Sequence, residues 1–197
     1  MKRYADAHKA IDDFLKDKAL SRTQQLVDAN LLLVDVASEE GKTEKNDKVR
    51  VSLFNNAVDA LMTVRAYRRP RDEKGKELPA AKWTEAQRVA DAELRLKSAE
   101  VVLRRLDAEN KMGLKEQAAK TRGEAIVALQ GMLMSMDTRA SALAPVVEKV
   151  YFDCIPLLLD HKKNKDAEED CQTYLKLFPA GKYKNDVETW LNQAKIQ

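Results

Sequence analysis

The two cysteines, Cys154 and Cys171, are the first candidates for chemistry in this sequence. They lie nine residues before and eight residues after Lys163, so an antiparallel helical hairpin turning near Lys163 would set the two sulfur atoms side by side. Three uses of the pair are open: two small buried apolar side chains, a disulfide bond in an oxidising compartment, or a catalytic thiol. The catalytic use has the least support, because His161 lies about one to two turns beyond Cys154 and near a helix end.

Other patterns typical of catalysis or metal binding do not occur in the sequence. The two histidines, His8 and His161, belong to no H-E-x-x-H motif, and nucleophile-elbow, Walker and dinucleotide-binding glycine patterns are missing. The acidic run 166–170 lacks the spacing and glycine of a calcium loop, and it suits the start of a helix, where acids favour the helix dipole. The sequence therefore predicts a protein that is not an enzyme and that needs no cofactor or metal ion.

Residues 65–76 form the strongest local charge feature, with six basic residues against the acids Asp72 and Glu73. The four arginines of this segment, which are candidates for contact with phosphate or anionic lipid, are Arg65, Arg68, Arg69 and Arg71. Tyr67 is the one aromatic residue nearby that could stack on a base, and a solvated loop is the competing interpretation. The whole chain is nearly balanced, with 35 basic and 32 acidic residues, which argues against nucleic acid as the main partner.

The composition favours long helices that surround a core. Hydrophobic residues make up 44% of the 197 residues and charged residues 34%, which supplies both a core and a solvated surface for one domain or two small ones. Glycine and proline number only six and five, whereas a β-rich fold needs many turns. No apolar run approaches the ~20 residues that a membrane-spanning helix needs.

Apolar periodicity with local start and stop signals predicts about eight antiparallel helices. Two capping boxes, Ser21 with Gln24 and Thr84 with Gln87, mark the starts of the second and fourth helices. The longest predicted loop, 70–82, separates the third helix from the fourth. The fourth helix carries a narrow apolar seam, which indicates packing within the chain or a dimeric coiled coil.

The most specific pattern lies in residues 148–194, where two helices flank the polar turn HKKNKD and the second ends in YLKLFPAGKY. Ala167 is small enough to let two helices approach, Pro179 stops the second helix and Gly181 lets the chain reverse. Trp190 is placed to pack the next helix back onto the pair. The residues of the pattern are Tyr151, Leu158, Ala167, Tyr174, Leu175, Phe178, Pro179, Gly181, Tyr183, Asp186, Trp190, Leu191 and Ala194.

These residues resemble a tetratricopeptide repeat, of the variety found in bacterial envelope-assembly proteins. The resemblance implies an all-α solenoid, with residues 1–143 an N-terminal helical bundle or degenerate repeats and residues 144–197 a repeat hairpin plus a capping helix, both within one continuous domain. It implies a scaffold that binds another polypeptide, in envelope assembly or as a subunit of a larger complex. The alternative is an adaptor for nucleic acid or an anionic surface that uses residues 65–76.

The expected location follows from the same resemblance and from the first residues of the chain. The opening MKRYADAHKAIDDF has early acids and no apolar core of an export signal. We therefore expect the periplasm or cell envelope if a signal has been removed, and the cytoplasm otherwise.

Overall fold

The computed structural model describes residues 3–17, 19 and 23–196, and this part of the chain folds as eight α-helices without a β-strand. The helices are α1 (Tyr4–Leu15), α2 (Gln24–Gly41), α3 (Asp47–Arg68), α4 (Glu85–Lys111), α5 (Lys115–Ser135), α6 (Ala144–Asp160), α7 (Asn164–Leu177) and α8 (Lys184–Ile196). The prediction of an all-α fold with about eight helices is therefore confirmed. Ser21 of the first predicted capping box lies outside the described residues.

Helix α4 begins where the sequence predicted because its capping box forms. The hydroxyl of Thr84 accepts the backbone N–H of Gln87 at 3.3 Å, and the side chain of Gln87 accepts the N–H of Thr84 at 2.9 Å. These bonds satisfy two of the donors that every helix start leaves open. Gly113 follows the end of α4 with a φ of 73°, a left-handed conformation that glycine adopts at little cost, and it separates α4 from α5.

The chain divides into two compact units, Met1–Leu114 and Lys115–Gln197. The N-terminal unit contains α1 to α4, and the C-terminal unit contains α5 to α8. The repeat-like segment that the sequence suggested begins at residue 144. The boundary between the two compact units lies earlier in the chain, because α5 packs on α6.

The N-terminal unit is built on the pairing of α2 with α3. Helix α4 packs on both of them, and α1 packs on α2. The buried cluster that joins α2, α3 and α4 includes Val27, Phe54, Leu61, Val64, Leu94 and Val101. Arg50 is also fully buried: its guanidinium group donates to the carbonyl oxygen of Glu44 at 3.3 Å and contacts the sulfur of Met112 at 3.2 Å. It therefore ties the start of α3 to the residue that follows α4.

The C-terminal unit is organised around α6. This helix packs on α5, α7 and α8, and α7 also packs on α8. A short 3₁₀ turn at Ser141–Leu143 leads into α6, and Pro145 occupies its first turn, where the missing N–H has no cost. The residues that α6 buries completely are Val147, Val150, Cys154, Ile155 and Leu158. Helix α6 thus positions the other three helices of this unit.

Candidate functional site

The predicted repeat motif converges on the hydroxyl group of Tyr174, a fully buried side chain of α7. This oxygen accepts the backbone N–H of Tyr183 at 3.0 Å and donates to Oε2 of Glu148 on α6 at 3.4 Å. The same carboxylate oxygen accepts the backbone N–H of Lys182 at 3.0 Å. Tyr174, Glu148, Lys182 and Tyr183, here called the Tyr174 cluster, therefore hold the turn between α7 and α8 against α6.

Gly181 is needed in that turn for space. A Cβ atom at this position would lie 2.4 Å from the hydroxyl oxygen of Tyr174 and 2.8 Å from Cβ of Phe178. Gly181 is not among the residues with a positive φ, so its role differs from the conformational freedom suggested by the sequence. Any larger side chain would push apart the ring and the turn that the Tyr174 cluster holds together.

Aromatic contacts add a second layer around this cluster. The ring of Phe152 on α6 stacks on Tyr183 with centroids 4.1 Å apart, and it packs against Trp190 of α8 at 5.4 Å. Tyr151 meets Tyr174 edge to face at 6.0 Å, an arrangement that aromatic pairs favour. Trp190 therefore does pack α8 onto α6, although its side chain stays partly exposed.

The other motif residues also serve the packing of the C-terminal unit. Leu158 and Ala167 are fully buried, and Leu175 is half-buried. Pro179 is exposed and follows the end of α7 by two positions. The described contacts of the motif residues thus pack the helices of the C-terminal unit against one another.

Both cysteines are free and fully buried on the facing helices α6 and α7. Burial is the main cause that raises the pKa of each thiol to about 12, and the negative charge of Asp170 adds to the effect. Thiols with such pKa values stay protonated at neutral pH and are poor nucleophiles. The structure thus describes Cys154 and Cys171 as small buried side chains, and their pairing in an oxidising compartment stays a prediction.

Asp170 is a member of the acidic run 166–170, and its carboxyl group is partly buried. Burial raises the pKa of its carboxyl group to about 6, with a further contribution from the nearby charges of Asp166 and Glu169. One oxygen of this carboxyl group is buried and has no hydrogen-bond partner in the part of the chain that the structure describes. A carboxylate in this position is destabilising when charged.

Arg65 and Arg68, two of the predicted anion-binding residues, differ in what their guanidinium groups contact. Nε and Nη2 of Arg65 donate to the two carboxylate oxygens of Asp91 on α4 at 2.5 and 3.0 Å. Arg68 is exposed and forms no ion pair or hydrogen bond through its side chain with any described residue. The charge of Arg65 is committed to α4, whereas that of Arg68 is free for another molecule.

The loop 69–84 that follows α3 is held by its own hydrogen bonds. One carboxylate oxygen of Asp72 accepts two backbone N–H groups of the turn at 2.9 and 3.0 Å. Arg69 and Arg71 both face the carboxylate of Glu77, at 2.9 and 3.5 Å. Two more of the predicted anion-binding arginines are therefore paired within the loop.

The end of α3 and the start of α4 enclose a slot of 350 Å³, here called the Trp83 slot. Its apolar lining includes Trp83, Pro70 and Leu94, and Arg68 is among the three arginines that also line it. The indole N–H of Trp83 donates to the carbonyl oxygen of Leu78 at 2.8 Å, which fixes the ring at the slot. The slot thus joins apolar surface to positive charge within the N-terminal unit.

A second concavity of the N-terminal unit, here called the acidic cleft, has the opposite charge. It has a volume of 530 Å³ and is lined by the carboxylates of Asp12, Glu40 and Asp59, and none of the described residues that line it is a lysine or arginine. His8 of α1 also lines it and bonds Glu40 of α2 at 2.8 Å. His8 is therefore paired with Glu40 and partly buried.

Trp83, Glu148 and Phe152 make contacts that the sequence pattern did not assign. Trp83 stands directly before the Thr84 capping box, so an aromatic residue beside a helix start was the available signal. Glu148 and Phe152 are four residues apart and share one face of α6. Sequence alone does not show that this face meets a turn about thirty residues further along the chain.

Comparison with known proteins returns no matching family model, no matching curated protein and no matching solved structure. Within the described residues, no helix is long and apolar enough to cross a membrane. The same residues contain no group of three or more His, Cys, Asp or Glu side chains that could hold a metal ion. A function must therefore be argued from the geometry of the two units.

Proposed function

We propose that this chain is a non-enzymatic helical scaffold that binds another polypeptide, in cell-envelope assembly or as a subunit of a larger complex. The observation that carries this proposal is the Tyr174 cluster, which joins α6, α7 and α8 through the turn that the tetratricopeptide pattern marks. Helix α8 packs on both members of the preceding pair. This is the neighbour pattern expected of a helix pair that is followed by the next helix of a repeat.

The N-terminal unit adds surfaces of the kind that bind side chains. The Trp83 slot and the acidic cleft are concave, are lined mainly by residues of helices and carry charges of opposite sign. Binding sites on rigid elements hold their geometry better than sites on mobile loops. Two such concavities on one small bundle support recognition of a partner polypeptide.

The test is affinity capture with the full-length protein from a lysate of its source organism, with and without nuclease. We expect at least one polypeptide that survives nuclease treatment and binds the purified protein directly in a titration. A capture in which every bound protein is lost with nuclease, or in which no captured protein binds directly, contradicts the proposal.

The alternative function is an adaptor for nucleic acid or an anionic surface, with residues 65–76 as the contact. Arg68 supports it, because this exposed arginine has no partner within the described residues. The pairing of Arg65 with Asp91, and of Arg69 and Arg71 with Glu77, reduces the charge that the segment can offer. Binding through phosphate contacts would weaken steeply with salt. The nuclease comparison separates a polypeptide partner from nucleic acid, and the salt dependence tests an anionic surface.

A further inference from the structure

The Trp83 slot is an apolar surface that is held in place and left uncovered. The indole N–H of Trp83, the polar group of the ring, donates to the carbonyl oxygen of Leu78, and the ring lines the slot. Ala86 and Ala90, one turn apart on α4, line the slot with side chains too small to fill it. The capping box that follows Trp83 fixes the direction of α4 at this point.

The charges around the slot are unequal. Its lining contains three arginines and one acid, Asp91, and that acid is already paired with Arg65. Arg69 is paired with Glu77 from the loop. Arg68 is left as the lining arginine whose charge no described residue balances.

We propose that the Trp83 slot binds a segment of a partner polypeptide in which a large apolar side chain lies next to an acidic residue. This inference rests on the proposed function and specifies the chemistry of the partner. The apolar side chain would cover Trp83 and the small residues of α4, and the neighbouring carboxylate would pair with Arg68. Tryptophan and arginine are the residue types that most often dominate the binding energy of interfaces.

The slot favours a peptide over nucleic acid for two reasons. Its lining is mainly apolar, whereas nucleic acid draws its affinity from several simultaneous phosphate contacts. Of the four arginines in residues 65–76, only Arg68 lacks an acid partner in the described part of the chain. One free guanidinium beside an apolar slot matches one carboxylate beside an apolar side chain.

The experiment begins with selection of a phage-displayed library of random peptides on the full-length protein. We expect the enriched peptides to place Asp or Glu next to Leu, Ile, Phe or Trp. One enriched peptide, labelled with a fluorophore, is then titrated against the wild type and three variants, Arg68→Glu, Ala86→Phe and Arg88→Glu. Ala86→Phe fills the slot from an exposed position of α4 without a change in charge.

Arg88→Glu is the matched control for Arg68→Glu. Both arginines are exposed and neither has a side-chain partner among the described residues, but Arg88 does not line the slot. We expect Arg68→Glu and Ala86→Phe each to weaken peptide binding by about tenfold, whereas Arg88→Glu stays within about twofold. The peptide with its acid replaced by Lys should bind Arg68→Glu more tightly than it binds the wild type.

The outcomes separate this inference from the function on which it rests. The proposal about the slot is contradicted if the enriched peptides contain no acids, or if the peptide binds Arg68→Glu and Arg88→Glu with equal affinity. Neither result contradicts the proposed function of a scaffold that binds a polypeptide. If the wild type enriches no peptide, the proposed peptide binding at the slot is contradicted. The nuclease-resistant capture then tests the scaffold function by itself. If Arg68→Glu weakens the binding of a labelled single-stranded oligonucleotide and no peptide binds, the peptide proposal is overturned in favour of a nucleic-acid adaptor.

Discussion

The two units of this chain differ in what their most informative residues do. In the C-terminal unit, the residues that form a specific sequence pattern are used for internal packing around Tyr174. In the N-terminal unit, where the sequence shows no such pattern, the described helices and the loop after α3 leave charged concavities open, among them the Trp83 slot and the acidic cleft. In this chain, the residues of the sequence pattern pack helices together. The candidate binding surfaces are formed by residues outside that pattern.

Both units hold charged groups that are partly or fully buried. In the N-terminal unit, Arg65 pairs with Asp91 across two helices, and Glu109 is fully buried with one carboxylate oxygen that has no partner among the described residues. In the C-terminal unit, one oxygen of Asp170 is likewise buried without a described partner. The comparison predicts that substitutions in the C-terminal motif affect folding strongly, whereas those at exposed arginines of the N-terminal unit leave folding unchanged.

The largest effect is expected for Gly181→Ala in the C-terminal unit. The new methyl group would lie 2.4 Å from the hydroxyl oxygen of Tyr174 and 2.8 Å from Cβ of Phe178, and overpacking of this kind costs about 2–3 kcal/mol. Thermal and urea unfolding followed by circular dichroism measure the change. The matched control is Gly123→Ala in α5, where nothing lies within 4 Å of the new methyl group and stability should rise by about 0.5–1 kcal/mol. Equal stability of the two variants would contradict the role of space at Gly181.

Tyr174→Phe should cost less, because it removes the hydroxyl group and keeps the ring. The backbone N–H of Tyr183 loses its acceptor and Glu148 loses one donor, which corresponds to about 1–2 kcal/mol in the free energy of unfolding. Tyr183→Phe removes a hydroxyl from the ring that stacks on Phe152 and should change stability by less than about 0.5 kcal/mol. If Tyr183→Phe were the more damaging of the two, the hydrogen bonds of Tyr174 would not be what holds the turn.

Asp170 predicts an unusual pH dependence of stability. Its pKa in the folded protein is about 6, above the ordinary value of 3.8 that applies to the unfolded chain. The folded state therefore binds this proton more tightly, so the group adds stability as the pH falls through about 6, and the gain is complete below the unfolded pKa. We expect a contribution on the order of 1 kcal/mol between pH 7.5 and pH 5.

Asp170→Asn measures this contribution directly. The variant removes the buried charge, so it should melt at a higher temperature than the wild type at pH 7.5 and lose that advantage at pH 5. Asp186→Asn, a change at an exposed acid in the first turn of α8, should keep the wild-type dependence on pH. An Asp170→Asn variant that is less stable than the wild type at pH 7.5 would show that the carboxylate is well solvated or paired.

The smallest effects are expected for the arginines at the end of α3. Arg65→Ala removes a partly buried pair with two hydrogen bonds to Asp91 and should lower the free energy of unfolding by about 1 kcal/mol. Arg68→Ala removes an exposed side chain and should stay within about 0.5 kcal/mol. Urea unfolding of both variants makes the comparison, and a cost at Arg68 that equals the cost at Arg65 would mean that Arg68 is already used in the fold.

The helices and several of their ends could be predicted because the signals lie within a few residues of one another. The Thr84 capping box joins residues three apart, and the apolar periodicity of a helix repeats every three or four residues. Gly113, just after the end of α4, is a signal of the same local kind. The all-α fold and the number of helices therefore follow from short-range patterns.

The candidate site could be predicted only in part. The four arginines of residues 65–76 were found by composition, but composition does not show that Arg65 pairs with an acid 26 residues away. Trp83 was missed because its place beside those arginines depends on how the loop folds back. The role of Glu148 was missed because its partner Lys182 lies 34 residues further along the chain.

The sequence by itself determined an all-α chain, several of its helix starts and stops, and the small and aromatic residues of the C-terminal motif. The tertiary structure alone decided which charges are neutralised, which carboxyl group is buried, and where an apolar slot meets a free arginine. The physical reason is the range of the interactions: helix propensity and capping act within a turn or two. Ion pairs, burial and concave surfaces depend on which helices pack together, and a single sequence does not specify that packing directly.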